Sequence, residues 1–193
     1  MRSFVVRFLV GLLLALSLSS AALARPAQAA TTWQVLIGGE SADHALQAQV
    51  FLPSTITIDE GDTIKWTMNP EFIHTVSFLS GGPRPPDVIP SATGALFNPV
   101  IAFPSGGPSY DGIGYVNSGV LQGKGPSFAL TLTKAGTYGY VCLLHPGMAG
   151  TVIVQPAGSA SPMTQAQLDA QANTELYSKL SLEIGRASCR ERV

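Results

Sequence analysis

The sequence predicts an all-β fold, a β-sandwich of seven or eight short strands between residues 30 and 155. Short runs in which apolar and polar residues alternate recur along this range, and turn-forming Gly, Pro, Asn and Asp residues separate them. This pattern is typical of a sandwich rather than of a helical or α/β domain. The range is also long enough to bury one hydrophobic core.

The first part of the range contains two extended runs, a predicted hairpin and one further strand. The extended runs are residues 32–38 and 47–52, and Pro53 ends the second. Residues 55–58 and 63–68 both alternate, with a turn at Glu60-Gly-Asp62, so they predict a hairpin with one buried face. After Asn69-Pro70 a strand begins near His74.

Residues 79–126 are dense in Gly, Pro and Ser and show little sustained period. A connection of this length is uncommon without a structural or functional purpose, so we expect a long ordered insertion with room for short strands rather than a second domain. Its apolar residues are expected to pack on the sandwich; they are Phe97, Val100, Ile101, Phe103, Tyr110 and Tyr115.

The last part of the range predicts a second hairpin, formed by residues 127–133 and 137–141 around a turn at Lys134-Ala-Gly136. Its outgoing strand leads into Cys-Leu-Leu-His-Pro-Gly-Met at residues 142–148. Residues 150–154 then alternate again and predict the closing strand.

The N-terminus has the features of a secretory signal peptide at residues 1–29. Met1-Arg2 and Arg7 precede an almost wholly apolar run, and small residues follow at 22–24 and 27–29. We expect cleavage after Ala29 or Ala30. The alternative is an uncleaved N-terminal anchor, which would attach the protein to a membrane.

The C-terminal segment, residues 156–182, is predicted to be a linker followed by a helix. Ser161-Pro162 is typical of a helix start, and an apolar stripe recurs every four residues to about Leu182, which favours a solvated linker helix. Residues 183–193 resemble the translation of a sequencing adapter, which would mean that the real gene is truncated near Leu182. In that case one alternative is that the helix leads into a further domain. The alternative is a disordered basic tail.

Charge and cysteine content restrict the function classes. Between Ala30 and Leu182 five Lys and Arg residues stand against ten Asp and Glu residues, so the chain lacks the basic surface of a nucleic-acid-binding protein. Apart from Cys189 in the suspected artefact, Cys142 is the only cysteine. A lone thiol in an exported protein requires an explanation, and metal binding would supply one.

The heptapeptide at residues 142–148 contains three candidate metal ligands, Cys142, His145 and Met148. A thiolate and a thioether beside an imidazole suit copper that changes oxidation state, and suit magnesium or calcium badly. His74 is the best fourth ligand because it begins a strand whose end can lie beside this loop. The set is a His₂Cys plane with a distant thioether, as in blue copper sites.

Each of these residues has a structural alternative when taken alone. Cys142 would then be a small buried apolar residue, Met148 a core residue, and His74 or His145 a hydrogen-bonded structural histidine. Their combination at this spacing, with the lone thiol, favours the metal site. The third histidine, His44, lies in a polar turn and is expected to face solvent, with an accessory copper or partner contact as the alternative.

Several segments resemble the cupredoxin family, the plastocyanin/azurin-like type 1 blue copper proteins. These segments are Phe51-Leu-Pro53, Gly61-Asp-Thr-Ile-Lys-Trp66, His74-Thr-Val76, Gly136-Thr-Tyr138 and Cys142-x2-His145-x2-Met148. The resemblance covers residues 33–154 and implies that residues 30–155 form a Greek-key β-sandwich carrying one type 1 copper.

Three features distinguish the chain within this family. The two residues between His145 and Met148 are similar to the short loop of amicyanin, whereas plastocyanin and pseudoazurin typically have a longer gap. Many members also have Asn after the first histidine, where this chain has Thr75, and the usual hydrogen bond near the thiolate depends on that position. The insertion at 79–126 is unusually long.

The predicted function is one-electron transfer between redox proteins outside the cytoplasm, in the periplasm or cell envelope or after secretion. The resemblance implies that a partner docks transiently near His145, which apolar residues flank. One alternative is a copper-binding or delivery protein, but the methionine- or histidine-rich tracts that would favour it are absent. Another is the N-terminal part of a truncated multidomain copper protein.

The sequence does not indicate an enzyme. Copper oxidases and nitrite reductases contain cupredoxin domains, but they need additional histidine-rich copper sites, and this chain has three histidines. A metal-free adhesion sandwich is the remaining alternative, against which the complete ligand set argues.

Overall fold

Two β-sheets face each other across a common core in the structure, a computed structural model that describes residues 29–69, 72–160 and 163–190. The first sheet has the spatial order β10 (Ser109–Tyr110), β13 (Ser127–Leu132), β4 (Thr63–Met68), β1 (Thr32–Glu40) and β2 (Gln47–Leu52). The second has the order β3 (Thr55–Asp59), β15 (Ala149–Gln155), β14 (Gly136–Val141), β6 (Ser77–Phe78), β11 (Val116–Ser118) and β9 (Pro104–Ser105). The predicted all-β sandwich is therefore confirmed.

Two small sheets and two helices complete the described part of the chain. One small sheet pairs β5 (Ile73–His74) with β12 (Leu121–Gln122), and the other pairs β7 (Val88–Ser91) with β8 (Gly94–Phe97). The helices are the short α1 (Pro99–Ala102) and the long α2 (Gln165–Arg190). Neither of these described helices is both long and apolar enough to cross a membrane.

Aromatic rings at the centre of the core join the two sheets. Alternate residues of β4 point inward, and the Trp66 ring lies 5.3 Å from Tyr140 and 5.9 Å from Phe78 between centroids, both edge-on. Edge-on contacts of this kind add to the free energy gained by burying the rings. Since Tyr140 lies on β14 only two residues before Cys142, this cluster fixes the strand that leads to the proposed metal site.

The prediction of two hairpins is wrong, although the four strands themselves are present. β3 and β4 belong to different sheets, as do β13 and β14, so each turn carries the chain from one sheet to the other. Alternation shows that each strand buries one face but does not specify its hydrogen-bonding neighbour. The neighbours are distant in sequence, with β4 parallel to β1 and β15 parallel to β3. Such crossings are what the predicted Greek-key sandwich requires.

The insertion at residues 79–126 is ordered and contains short strands, as expected, and these strands extend both sheets. β9 and β11 extend the six-stranded sheet, and β10 extends the five-stranded one. Of its predicted packing residues, Ile101 and Tyr110 are buried. The prediction is wrong for Phe97, Val100 and Phe103, which are exposed.

The C-terminal helix α2 packs on the sandwich, so the prediction of a solvated linker helix is wrong. Leu168, Ala172 and Leu180, from the predicted stripe, are buried against β1 and β2. The Gln165 side-chain amide accepts from the main-chain N–H of Gln34 at 2.9 Å and donates to its carbonyl at 3.2 Å, which continues the strand ladder. The Glu175 carboxylate accepts a hydrogen bond from a main-chain N–H that follows β2.

The bounds of α2 also differ from the prediction. The helix begins at Gln165 and continues to Arg190, beyond the expected end near Leu182. The proposed helix start at Ser161-Pro162 lies outside the described residues, as do residues 1–28 of the predicted signal peptide at 1–29.

Replacing Leu168 by Ala tests this packing. Leu168 is 1% exposed and belongs to the main core, so Leu168→Ala should lower the free energy of unfolding by about 2–4 kcal/mol. Tyr177→Ala is the matched control on the same helix, because Tyr177 is 71% exposed and its removal should change the stability by less than about 0.5 kcal/mol. Equal stability of the two variants in chemical denaturation would show that α2 does not pack on the sheet.

Candidate metal centre

Three predicted ligands meet at one end of the sandwich. His74 ends β5, Cys142 directly follows β14, and His145 lies in the loop between β14 and β15. The Cys142 Sγ lies 3.7 Å from His74 Nδ1 and 3.5 Å from His145 Nδ1, and the two Nδ1 atoms are 3.1 Å apart. Among the described residues, this is the cluster of His, Cys and acidic side chains with the spacing of a metal site.

The loop at residues 142–148 is closed by its own main chain. The Cys142 N–H donates to the Met148 carbonyl at 3.0 Å, and the Met148 N–H donates to the His145 carbonyl at 3.2 Å. Gly147 has a φ of +84°, a conformation that residues with a Cβ rarely adopt. The β14–β15 ladder, which ends at the pair Val141 and Ala149, therefore holds both ends of a tight loop that contains three predicted ligands.

The donor atoms are shielded from solvent to different degrees. Cys142, His74 and Met148 are buried, whereas His145 is half-buried and is the member that reaches towards the surface. Burial, and secondarily the charge of His145, lowers the pKa of His74 to about 4. Burial also lowers the pKa of His145, with a smaller contribution from the positive charge of Arg84. Both rings are therefore neutral at neutral pH, the form that binds metals.

The three atoms have the spacing that a trigonal metal site needs. A point in their plane at equal distance from all three lies about 2.0 Å from each atom. That value matches metal–nitrogen bonds and is slightly shorter than the metal–sulfur bonds of about 2.3 Å that metals such as zinc make with Cys. Two imidazoles and one thiolate form the plane of a blue copper site, so the residues present fit copper.

Thr75 links the two ligand-bearing segments. Its main-chain N–H donates to Cys142 Sγ at 3.4 Å, and its hydroxyl accepts a hydrogen bond from the Leu143 N–H at 2.7 Å. A hydrogen bond to the sulfur is therefore present, although this chain lacks the Asn that many family members have here. Ser77 Oγ lies 3.1 Å from the Thr75 hydroxyl and 2.8 Å from the side-chain Oδ1 of Asn117, so the polar contacts extend from Thr75 into the insertion.

The insertion holds the site through further residues that sequence reasoning missed. The amide of Asn117 donates to three carbonyls in and beside α1, those of Val100, Ile101 and Phe103. Arg84 donates to the carbonyls of Cys142 and Leu143. Arg84 carries one sequence signal, since it is the only arginine between residues 30 and 182, but no local pattern connects it with residue 142.

His44 lies apart from this cluster. It occupies the connection between β1 and β2, is largely exposed, and places its Nδ1 3.0 Å from the Glu40 carboxylate. The expectation that it faces solvent is confirmed.

Comparisons with known proteins identify the family. The model of the copper-binding proteins of the plastocyanin/azurin family matches residues 36–155. Chloroplastic plastocyanin of Tetradesmus obliquus is 31% identical over 147 residues, which are 71% of this chain and 86% of that protein. Chloroplastic plastocyanin of Chlamydomonas reinhardtii is 33% identical over 141 residues, which are 72% of this chain and 77% of that protein.

A solved structure of amicyanin from Paracoccus versutus is 22% identical, with a TM-score of 0.37 over 68% of this chain and 86% of that one. The family match covers more than half of the present chain and includes all four predicted ligands. The chain therefore belongs to the plastocyanin/azurin family of copper-binding proteins, the cupredoxins.

Proposed function

We propose that this chain is an exported type 1 copper protein that carries one electron at a time between protein partners. The observation that supports this most strongly is the buried trigonal set of two Nδ1 atoms and one Sγ atom. Copper bound there would supply a one-electron couple between its cuprous and cupric states.

The residues that would hold the copper are His74, Cys142, His145 and Met148, of which the Met148 thioether would be the weakest donor. The case for Met148 rests on its place in the closed loop, on its burial and on the family's ligand chemistry. Cys142 would bind as the thiolate, because a bound metal ion favours loss of the thiol proton.

The protein contributes a fixed geometry that suits both oxidation states. Cupric copper prefers tetragonal nitrogen and oxygen sites, whereas cuprous copper accepts soft sulfur and low coordination, and a trigonal His₂Cys site lies between these preferences. The loop hydrogen bonds and the Thr75 contacts hold the donor atoms in place, so little rearrangement is needed when the charge changes. Burial of Cys142 and His74 excludes water from the sulfur side of the site.

His145 provides the route to a partner. Its ring is half-buried, and the Phe72 ring lies 5.6 Å from it between centroids. Phe72 and Ile73 are each 39% exposed, and Leu144 is half-buried, so an apolar surface adjoins the imidazole. A redox protein that docks there transiently needs only a small interface, since fast dissociation matters more than affinity.

Copper delivery without electron transfer and a truncated multidomain copper protein are the alternatives. No observation in the described residues favours a second copper site over the single cluster. His44, paired with Glu40 at the surface, stays an accessory candidate only.

If the protein is exported, its mature form should be shorter because the signal peptide is removed. We propose that residues 1–29 are removed as a signal peptide and that the copper domain spans residues 30–155, with residues 183–193 foreign to the natural gene. The mass of the protein recovered from outside the cytoplasm should correspond to cleavage after Ala29 or Ala30. Recovery of the uncut chain in the membrane fraction would instead support an N-terminal anchor. Resequencing the gene past Leu182 tests the proposed artefact.

Adding cupric ion to the purified protein should produce an intense thiolate-to-copper absorption band in the visible range. Cys142→Ser should abolish this band because the hydroxyl cannot replace the soft thiolate, and His74→Ala should abolish it or shift it strongly. His44→Ala is the matched control and should keep the band, since His44 lies outside the cluster. Absence of the band in the unmutated protein would contradict the proposal, and absence of a reversible redox wave would favour copper delivery.

Replacing Met148, the weakest of the proposed donors, should raise the reduction potential while the blue band persists. Met148→Leu removes a weak sulfur donor that stabilises the cupric form more than the cuprous form. The variant should therefore favour the reduced form over the oxidised form. Met68→Leu is the matched control, because Met68 is a core methionine on β4 with the same 2% exposure. Cyclic voltammetry of both variants measures the effect. Equal potentials for the two variants would remove Met148 from the ligand set.

A further inference from the structure

One charged side chain of the insertion, that of Arg84, contacts the loop at residues 142–148. Arg84 lies in the segment between β6 and β7, and its Nη1 donates to the Cys142 carbonyl at 3.3 Å while its Nη2 donates to the Leu143 carbonyl. A guanidinium is suited to this task because its planar fork presents several N–H donors in a fixed geometry. The contact therefore ties a residue of the insertion to the main chain of the proposed thiolate ligand.

The segment that carries Arg84 is itself restrained. Pro83, Pro85 and Pro86 limit the backbone conformations on both sides of Arg84, which lowers the entropy lost when the side chain is ordered. Asn98 then fixes the end of the segment, since its side-chain amide donates to the Pro86 carbonyl at 2.8 Å and its main-chain N–H donates to the Asp87 carbonyl at 2.9 Å.

The peptide group between Cys142 and Leu143 is held at both of its polar ends. Arg84 binds its carbonyl, and the Thr75 hydroxyl accepts from its N–H at 2.7 Å. Thr75 also donates its main-chain N–H to the Cys142 sulfur. Rotation of this peptide would move Cys142 Sγ, so the two contacts together restrict the position of the sulfur.

The charge of Arg84 acts on the same centre. Reduction makes a metal site one charge more negative, so a nearby fixed positive charge stabilises the reduced form more than the oxidised form. The Asp87 carboxylate lies 3.7 Å from the guanidinium and only partly compensates it, because both side chains are solvent-accessible.

We propose that Arg84 is a positioning residue of the copper centre, which fixes the Cys142–Leu143 peptide and favours the reduced state through its charge. This rests on the proposed electron-carrier function. It assigns a role to the long insertion: beyond extending the sheets, it supplies a cation to the ligand loop.

Three variants separate the charge from the hydrogen bonds. Arg84→Gln removes the charge and the fork, whereas Arg84→Lys keeps the charge and loses the fork. Lys134→Gln is the matched control for net charge, because exposed Lys134 lies before β14, at the end opposite to Cys142. For each copper-loaded protein, the ratio of reduced to oxidised form is measured at one fixed solution potential. For each metal-free protein, the hydrogen exchange of the Leu143 amide is measured against amides of β13.

Arg84→Gln should lower the ratio of reduced to oxidised protein by about three- to tenfold, the effect of one partly screened charge near the site. Arg84→Lys should stay within about twofold of the unmutated protein, as should Lys134→Gln. Both Arg84 variants should speed exchange of the Leu143 amide while the β13 amides keep their rates, since loss of the fork frees the loop locally.

Two results would overturn the proposal. An Arg84→Gln ratio equal to that of Lys134→Gln would remove the charge effect, and unchanged Leu143 exchange in both Arg84 variants would remove the positioning role. If the unmutated protein forms no blue copper centre, the electron-carrier function fails. The exchange measurement on the metal-free protein still decides whether Arg84 holds the loop.

Discussion

The hydrogen-bond ladder between β14 and β15 is the constraint on which the proposed metal site depends. Its last pair, Val141 and Ala149, brings the two ends of a seven-residue loop together, and the loop then closes through the Cys142 and Met148 main chains. Three proposed ligands thus come from one short, strand-anchored turn. The aromatic packing of Tyr140 against Trp66 holds β14 in the core, so the stability of the sandwich and the geometry of the site have the same origin.

The position of the fourth proposed ligand, His74, depends on contacts between segments that are distant in sequence. His74 reaches the site because β5 pairs with β12, a strand of the insertion, with His74 opposite Leu121. Thr75, Ser77 and Asn117 then form a buried polar network whose members have partners, which a closely packed interior requires. The insertion is therefore part of the ligand scaffold rather than an appendage to it.

The same arrangement explains how one end of the molecule combines rigidity with access. The sulfur and His74 are enclosed by the core and by the insertion, whereas the His145 ring lies at the boundary beside exposed Phe72 and Ile73. Enclosure restricts the movement of the donor atoms and shields them from solvent, and the single accessible ring would give an electron the proposed route out of the site. α2 packs on β1 and β2 and buries additional apolar surface of the five-stranded sheet.

The sequence by itself determined the class of fold, the main strands outside the insertion and the three candidate ligands at residues 142–148, because alternation and ligand spacing are local properties of the chain. His74 followed as the fourth candidate only because two other histidines remained and it begins a strand. Only the tertiary structure decided which strands pair, since a buried face on β3 or β4 can be satisfied by either sheet. It likewise decided that α2 packs against β1 and β2, because an apolar stripe on a helix does not specify which surface it packs against. The roles of Thr75 and Arg84 at Cys142 arise from contacts between residues 58 or more positions apart, for which no local pattern exists.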